Sequence, residues 1–170
     1  MISFIHHEEI WEYFSSTQKD LILEGNYLMT ITEQHSYKFK DFSFLVFPYA
    51  KAYEGYLKQL FLDVGFITHL DYISDHFRIG KYLSPHLIPR LGDRSIYIQI
   101  VKKASEELAK NIWDVWKRGR NEVFHYYPHN IKRLTLEDAR SMNDEILHIM
   151  ITSYDQLKKD QQSQQQYEAL

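Results

Sequence analysis

Apolar residues recur at intervals of three and four along most of the chain, and no run alternates clearly enough to argue for a β-sheet. The first helical stretch begins near Glu8 and Glu9, whose charges suit the positive end of a helix. Its apolar residues are Ile10, Trp11, Phe14, Leu21 and Ile22. Residues 25–41 are rich in Thr, Ser and Gln, and their pattern leaves a helix tail, a loop and a short extended segment all open.

A second helix is predicted after the apolar run that begins at Phe44. Four of its apolar residues fall at intervals of four: Ala52, Tyr56, Leu60 and Val64. Pro48 either opens this helix or bends it, and Gly65 is a natural stop. Glycine and proline then interrupt residues 66–94, which predicts short helices and an ordered loop. The interrupting residues are Gly80, Pro85, Pro89 and Gly92.

The pattern predicts two more long helices in the second half of the chain. The third, predicted as the longest, is traced by Ile98, Val101, Ser105, Leu108, Ile112, Val115 and Gly119. Pro128 is expected to end it, and Thr135 to cap the next helix. The buried side of that fourth helix is predicted as Ala139, Ile146, Ile149, Met150 and Leu157. The Gln-rich tail, residues 161–170, is predicted to be disordered.

The prediction is therefore an all-α domain over residues 1–160, with four main helices and a broken segment of short helices between the second and third. Its 170 residues, 44% of them hydrophobic, suit a single domain with its own core. No apolar run approaches the roughly 20 residues of a membrane span, and the amino terminus lacks a leader pattern, so we expect a cytoplasmic location away from membranes. The chain has no cysteine, which excludes disulfides and thiolate metal sites.

Candidate chemistry lies in the segment from Arg120 to His125. Arginine is a permanent cation suited to phosphate, and histidine can take or give a proton near neutral pH. On an α-helix, residues five apart are separated by about 140° around the axis and about 7.5 Å along it. Asn121 and His125, four apart, share a face. Arg120 must therefore curl toward His125, or the same segment of a second chain must complete the cleft.

A net charge of -3 gives no global attraction for nucleic acid, so RNA binding would need a local basic patch. Cations and aromatic rings do surround the segment: Lys110, Lys117, Arg118, Arg120, Lys132 and Arg133, with Tyr126 and Tyr127 among them. Cations bind phosphates and rings stack on bases, so we expect RNA contacts from Lys117, Arg118, Tyr126, Tyr127, Lys132 and Arg133. The alternative is an ordinary helix end, with Arg120 and Asn121 on its solvated surface, His125 as a cap, and Glu54 paired with Lys58.

A metal site is not expected. His125 and His129 have the spacing of helical zinc ligands, but Pro128 between them breaks the helix that would align the two rings.

Two motifs carry a family resemblance. Arg120-Asn121-x-x-x-His125 resembles the signature of the HEPN superfamily, whose members are four-helix domains that often dimerise and often act as metal-independent RNA endonucleases. Upstream, Phe47-Pro48-x-Ala50-x-Ala52-x-Glu54-Gly55-Tyr56-Leu57-Lys58-x-Leu60 is similar to the HEPN domain of RNase LS type toxins of bacterial toxin–antitoxin systems. Because its 170 residues are fewer than those toxins have, we expect it to lack their additional amino-terminal domains.

The resemblance implies an HEPN-like four-helix bundle and a catalytic set of Arg120, His125, Asn121 and Glu54. His125 would act as general base or acid when the 2′-hydroxyl of RNA attacks the adjacent phosphorus, and Arg120 would stabilise the phosphorane. Asn121 would orient the histidine or the phosphate, and Glu54 would orient Arg120 or join the proton transfers. The resemblance also implies no cofactor and no metal, a homodimer, and a cognate antitoxin or other regulatory protein in a toxin–antitoxin or phage-defence system.

Two alternatives stay open at this point. Arg120-x4-His125-x-Tyr127 also resembles HEPN toxins paired with a nucleotidyltransferase antitoxin, which would make Tyr127 a site of adenylylation. The other alternative is an HEPN module that binds RNA or protein without cutting.

Overall fold

The structure, a computed structural model, describes residues 8–125, 128 and 132–159. Across these ranges the regular structure is helical throughout and contains no strand, which confirms the all-α prediction. None of the helices in the described part of the chain combines the length and the apolar character needed to cross a membrane.

The first helical stretch is two helices, α1 (Glu8–Tyr13) and α2 (Ser16–Gln34). The prediction of one continuous helix was wrong because a capping box begins a new helix at Ser15. The Ser15 hydroxyl accepts the Gln18 N–H at 3.3 Å, and the Gln18 side chain accepts the Ser15 N–H at 3.1 Å. Helix α2 also takes up part of the segment that the sequence left open, and irregular backbone then leads to a 3₁₀ turn, Ser43–Leu45.

Helix α3 (Phe47–Asp63) is confirmed, with Pro48 in its first turn and Gly65 just beyond its end. Gly65 has a φ of 78°, in the region that favours glycine. The predicted broken segment is confirmed as well. It contains α4 (His69–Ile73), α5 (Ile79–Leu83) and α6 (Ile88–Leu91), with 3₁₀ turns at Pro85–Leu87 and Gly92–Arg94.

The third predicted helix is broken into α7 (Ile96–Lys103), α8 (Glu106–Trp116) and a π-helical segment, Lys117–Glu122. Ala104, at φ -129° and ψ -85°, leaves the helical region, and the Ser105 hydroxyl accepts the Leu108 N–H at 3.1 Å to start α8. The break shifts the helical phase, so Ile96 and Ile100 are buried in place of the predicted Ile98 and Val101.

Two further expectations about this third region were wrong. The longest described helices are α2 and the last helix, with 19 residues each, and the π-helical segment ends at Glu122, well before Pro128.

The last helix, α9 (Leu136–Tyr154), is followed by a π-helical turn, Asp155–Lys159. The predicted cap is confirmed, because the Thr135 hydroxyl accepts the Asp138 N–H at 3.1 Å while the Asp138 carboxylate accepts the Thr135 N–H at 2.9 Å. The predicted buried side is confirmed in full: Ala139, Ile146, Ile149, Met150 and Leu157.

The described residues fall into two compact units. The first contains the residues up to Gly55 and those from Val115 to His148, and it holds Glu54, Arg120, Asn121 and His125. The second contains Tyr56 to Asp114 and the residues from Ile149 onward. Within the second unit, the buried Tyr56 hydroxyl donates to the Met150 carbonyl at 2.7 Å and also bonds the Ser153 hydroxyl at 2.9 Å. A single domain over residues 1–160 stays a prediction.

Candidate active site

Glu54 and Arg120 form the central contact of the candidate site. Arg120 Nε donates to Glu54 Oε2 at 3.2 Å, across 66 positions of sequence. Both side chains are partly exposed, 37% for Arg120 and 29% for Glu54. Such a pair contributes only about 0–1 kcal/mol to stability. Its main effect is to fix where the guanidinium lies, and Glu54 makes this contact in place of the alternative pairing with Lys58.

Aromatic rings hold the other side of Arg120. The guanidinium carbon lies 5.6 Å from the centroid of the Phe124 ring, within the range of a cation–π contact. Phe124 in turn meets Phe47 edge to face, with centroids 5.5 Å apart. The structure therefore joins the two motifs twice: Glu54 contacts Arg120, and Phe47 contacts Phe124.

His125 is exposed, and its ring is oriented by the backbone of Asn121. The His125 Nδ1 hydrogen-bonds the Asn121 carbonyl oxygen. A carbonyl can only accept, so Nδ1 carries the hydrogen in this contact and Nε2 carries the lone pair of the neutral ring. That tautomer presents Nε2 as a base. This contact uses the backbone oxygen of Asn121, so the prediction that its side-chain amide orients the histidine or the phosphate stays a prediction.

The π-helical segment changes the geometry expected between Arg120 and His125. Hydrogen bonds in a π-helix join residues five apart, so each turn holds more residues than in an α-helix. The separation of about 140°, calculated for an α-helix, therefore does not apply over Lys117–Glu122.

The π-helical segment also packs closely against α9. A Cβ on buried Gly119 would lie 3.0 Å from Met142 Sδ and 3.2 Å from Ile146 Cδ1. Glycine is thus what allows the segment that carries Arg120 to approach α9 so closely.

The basic side chains around Arg120 are paired with carboxylates. Lys117 Nζ lies 3.6 Å from Glu122, which also accepts from Lys132, and Arg118 donates to Glu145. The hydrogen bond from Lys132 holds the pKa of Glu122 below its usual value, with further lowering from the charge of Lys117. Sequence reasoning missed both carboxylates, because the pairs of Glu122 with Lys132 and of Glu145 with Arg118 join residues 10 and 27 positions apart and depend on how the chain folds.

Lys110, also predicted as part of the basic patch, belongs to the second compact unit. There it pairs with Asp114 at 2.6 Å. Exposed pairs of this kind contribute about 0–1 kcal/mol, so a phosphate can compete for the cations.

Several predicted positions lie outside the described residues. These are Tyr126 and Tyr127, the alternative ligand His129, and the tail 161–170. Their roles stay predictions. Among the residues that are described, no group of three or more His, Asp and Glu side chains is placed to hold a metal ion.

Compared with known proteins, the chain matches no protein-family model, no curated protein and no solved structure. The resemblance to HEPN ribonucleases therefore rests on the two motifs and stays a prediction.

Proposed function

We propose that this chain is a metal-independent RNA endonuclease of the HEPN type, acting in the cytoplasm as the toxin of a toxin–antitoxin or phage-defence system. The observation that supports the proposal is the convergence of the two motifs in the first unit. Glu54 and Phe47, from the upstream motif, contact Arg120 and Phe124, from the downstream motif. Nothing in the spacing of the residues along the chain requires that convergence.

His125 Nε2 takes the proton of the 2′-hydroxyl, whose oxygen then attacks the adjacent phosphorus. The bond to the 5′-oxygen breaks, and that oxygen leaves with a proton from an acid. The products are a 2′,3′-cyclic phosphate and a free 5′-hydroxyl. In a symmetric homodimer, the acid is His125 of the second copy in its protonated form, which gives its Nε2 proton to the leaving oxygen while the first, neutral ring takes the proton of the 2′-hydroxyl. The substrate is RNA because DNA lacks the attacking hydroxyl.

Arg120 stabilises the negative charge that develops on the phosphorane. Its contact with Glu54 uses Nε, which directs the two terminal nitrogens of the guanidinium to the substrate phosphate. Glu54 and Phe124 together restrain the side chain before substrate binds, so less ordering is needed in the transition state. Lys117, Arg118 and Lys132 exchange their carboxylate partners for RNA phosphates, and the exposed Arg133 adds a further cation.

A cognate antitoxin or regulatory protein restrains the enzyme in this account. Such a partner would act by covering the exposed His125 or by preventing the two copies from assembling. In the second HEPN subfamily the control would instead be adenylylation of Tyr127, which lies outside the described residues.

The chemistry is tested on the substrate. Purified protein is incubated in EDTA with a labelled single-stranded RNA, with the same sequence carrying 2′-O-methyl groups, and with the corresponding DNA. We expect cleavage of the unmodified RNA alone, giving 2′,3′-cyclic phosphate and 5′-hydroxyl ends. Equal cleavage of the methylated RNA would overturn the mechanism. Binding of RNA with no cleavage by the wild type would assign the chain to the non-catalytic alternative.

A further inference from the structure

Four aromatic rings form a continuous cluster between α2 and α3, at the end of the segment that the sequence left open, residues 25–41, and just beyond it. We call this cluster the aromatic ladder; it consists of Tyr37, Phe39, Phe42 and Phe44. Tyr37 and Phe39 lie 4.9 Å apart between centroids, and Phe39 lies 5.8 Å from Phe42 and 5.0 Å from Phe44. Phe42 and Phe44 are stacked at 6.3 Å.

The ladder faces solvent to an unusual degree for such residues. Tyr37 is 62% exposed, Phe39 37% and Phe44 40%. Burying rings of this size is a main source of folding free energy, so exposing three together forgoes stability. Exposed apolar clusters of this kind mark a binding surface.

Cations alternate with the rings. Lys38 and Lys40 stand between the first three aromatic residues, and both are exposed. A surface for an apolar partner would have its charges at the rim, whereas here ring and cation alternate residue by residue from Tyr37 to Lys40. The alternation of stacking faces with positive charge is the arrangement that single-stranded nucleic acid requires, since its bases and phosphates also alternate.

A second strip of cations is tied to the same segment. The Phe42 N–H donates to the Leu134 carbonyl at 3.0 Å, and the Leu134 N–H donates to Asp41 Oδ1 at 3.2 Å. These two bonds fix the ladder beside Lys132 and Arg133, which directly precede Leu134 and are exposed. The backbone that carries the rings is therefore anchored next to two more exposed cations, Lys132 and Arg133.

We propose that the aromatic ladder binds a single-stranded nucleic acid. Bases stack on Tyr37, Phe39 and Phe44, while Lys38, Lys40, Lys132 and Arg133 contact the phosphates. Because every base has an aromatic face, this surface tolerates many sequences. It excludes duplexes, whose bases are already stacked on one another. The binding does not depend on cleavage at His125.

The ladder also adjoins the candidate active site. Phe44 precedes Phe47 by three residues, which span at most about 11 Å of extended chain. Phe47 in turn contacts Phe124, which lies against Arg120. A strand held on the ladder can thus continue to the site, and this extension alone rests on the proposed function.

Binding is measured by fluorescence anisotropy in EDTA with a labelled 20-nucleotide oligo-dT, which has no 2′-hydroxyl and cannot be cleaved by the proposed mechanism. Tyr37→Ala and Phe39→Ala are compared with Tyr27→Ala, since Tyr27 is an exposed tyrosine of the same unit at 66%. We expect each ladder variant to bind about ten-fold more weakly or worse, because each removes one stacking face. Tyr27→Ala should bind as the wild type does, and Phe39→Trp should retain affinity.

Three results would overturn the proposal: no binding of oligo-dT by the wild type, ladder variants that bind like the wild type, or equal affinity for a duplex of the same length. If Phe39→Ala changes the oligomeric state in gel filtration and leaves oligo-dT binding intact, the ladder is a protein-docking surface and the proposal is wrong. If the protein does not cleave RNA, the proposed function fails but this measurement still tests the ladder, because oligo-dT binding involves no reaction.

Discussion

Glu54 on α3 lies 3.2 Å from Arg120 on the π-helical segment, and this contact connects two parts of the chain that are 66 residues apart. A second arginine–glutamate pair in the same unit, Arg140 with Glu33, joins α9 to α2. Both are arginine–glutamate pairs with partly exposed side chains. They differ in their surroundings: Arg120 also lies against Phe124 and close in sequence to His125, whereas Arg140 pairs with a second carboxylate, Glu137.

Glu54→Gln tests whether that contact positions Arg120. The substitution keeps the shape of the side chain and removes its charge, so we expect kcat for RNA cleavage to fall about ten-fold through loss of orientation, with KM little changed. The free energy of unfolding should change by less than about 1 kcal/mol because the pair is partly exposed. Steady-state kinetics and urea unfolding measure the two effects.

Glu33→Gln is the matched control for this substitution, because it weakens the contact with Arg140 and leaves Arg120 untouched. An equal loss of kcat in both variants would show that Glu54 acts only through general stability.

Gly119→Ala tests the close approach of the π-helical segment to α9. The added Cβ would meet Met142 Sδ at 3.0 Å and Ile146 Cδ1 at 3.2 Å, so we expect a loss of about 1–3 kcal/mol from overpacking. Gly55→Ala is the control, since its Cβ would have its nearest neighbour, Gln18 Nε2, at an ordinary 3.5 Å. In the middle of α3 that change should stabilise by about 0.5–1 kcal/mol.

Urea unfolding of the two glycine variants decides the point. A Gly119→Ala variant as stable as Gly55→Ala would mean that the packing of this segment against α9 is looser than described.

Asp41→Asn tests the anchor of the aromatic ladder through its pH dependence. Burial acts to raise the pKa of Asp41, but hydrogen bonds from the Ser43 hydroxyl and N–H and from the Leu134 N–H, with the nearby charge of Arg133, lower it overall. A lowered pKa in the folded state means that the ionised carboxylate contributes stability above its ordinary pKa of 3.8. That contribution is lost as the pH falls through the lowered value.

We therefore expect the wild type to be more stable than Asp41→Asn at neutral pH, by an amount that shrinks once the pH falls below about 4. Unfolding free energies measured across this range provide the test. A difference that stays constant, or grows, in acid would show that the Asp41 carboxylate is not held in its ionised form by these partners.

Local signals in the sequence were sufficient for much of the fold. Thr135 with Asp138 predicts the start of α9, and Gly65 predicts the end of α3, because a cap or a stop needs only neighbouring residues. Ser15 and Gln18 carry the same kind of signal, because a capping box at Ser15 predicts that a new helix begins there. At the break after Ala104, alanine favours a continuous helix, and the only local signal is the cap residue Ser105, whose hydroxyl accepts the Leu108 N–H.

The candidate site could be predicted from the sequence only in part. The spacing of Arg120 and His125 is visible in the chain, and the resemblance of the upstream motif pointed to Glu54 as a partner of Arg120. The π-helical segment could not be predicted, because its geometry accompanies the packing of Gly119 against α9. Glu145, 27 positions from Arg118, was missed for the same reason: tertiary contact decides the pairing.

The aromatic ladder shows where periodicity analysis fails. The alternation of aromatic and basic residues from Tyr37 to Lys40 is plain in the sequence, and by periodicity alone it is the pattern of a very short strand, yet the structure forms no strand there. The contact of Phe39 with Phe44 is a property of the folded segment, and it is this contact that turns separate rings into one surface.

The most direct test of the account is the initial rate of RNA cleavage in EDTA by two pairs of folded variants. Arg120→Ala is paired with Arg140→Ala, and His125→Ala with His86→Ala, an exposed histidine of the second unit. We predict losses of about 10²-fold or more for Arg120→Ala and His125→Ala, the scale expected for lost charge stabilisation and lost proton transfer. Arg140→Ala and His86→Ala should cleave like the wild type. If all four variants cleave at the wild-type rate, the site formed by Glu54, Arg120 and His125 does not cut RNA.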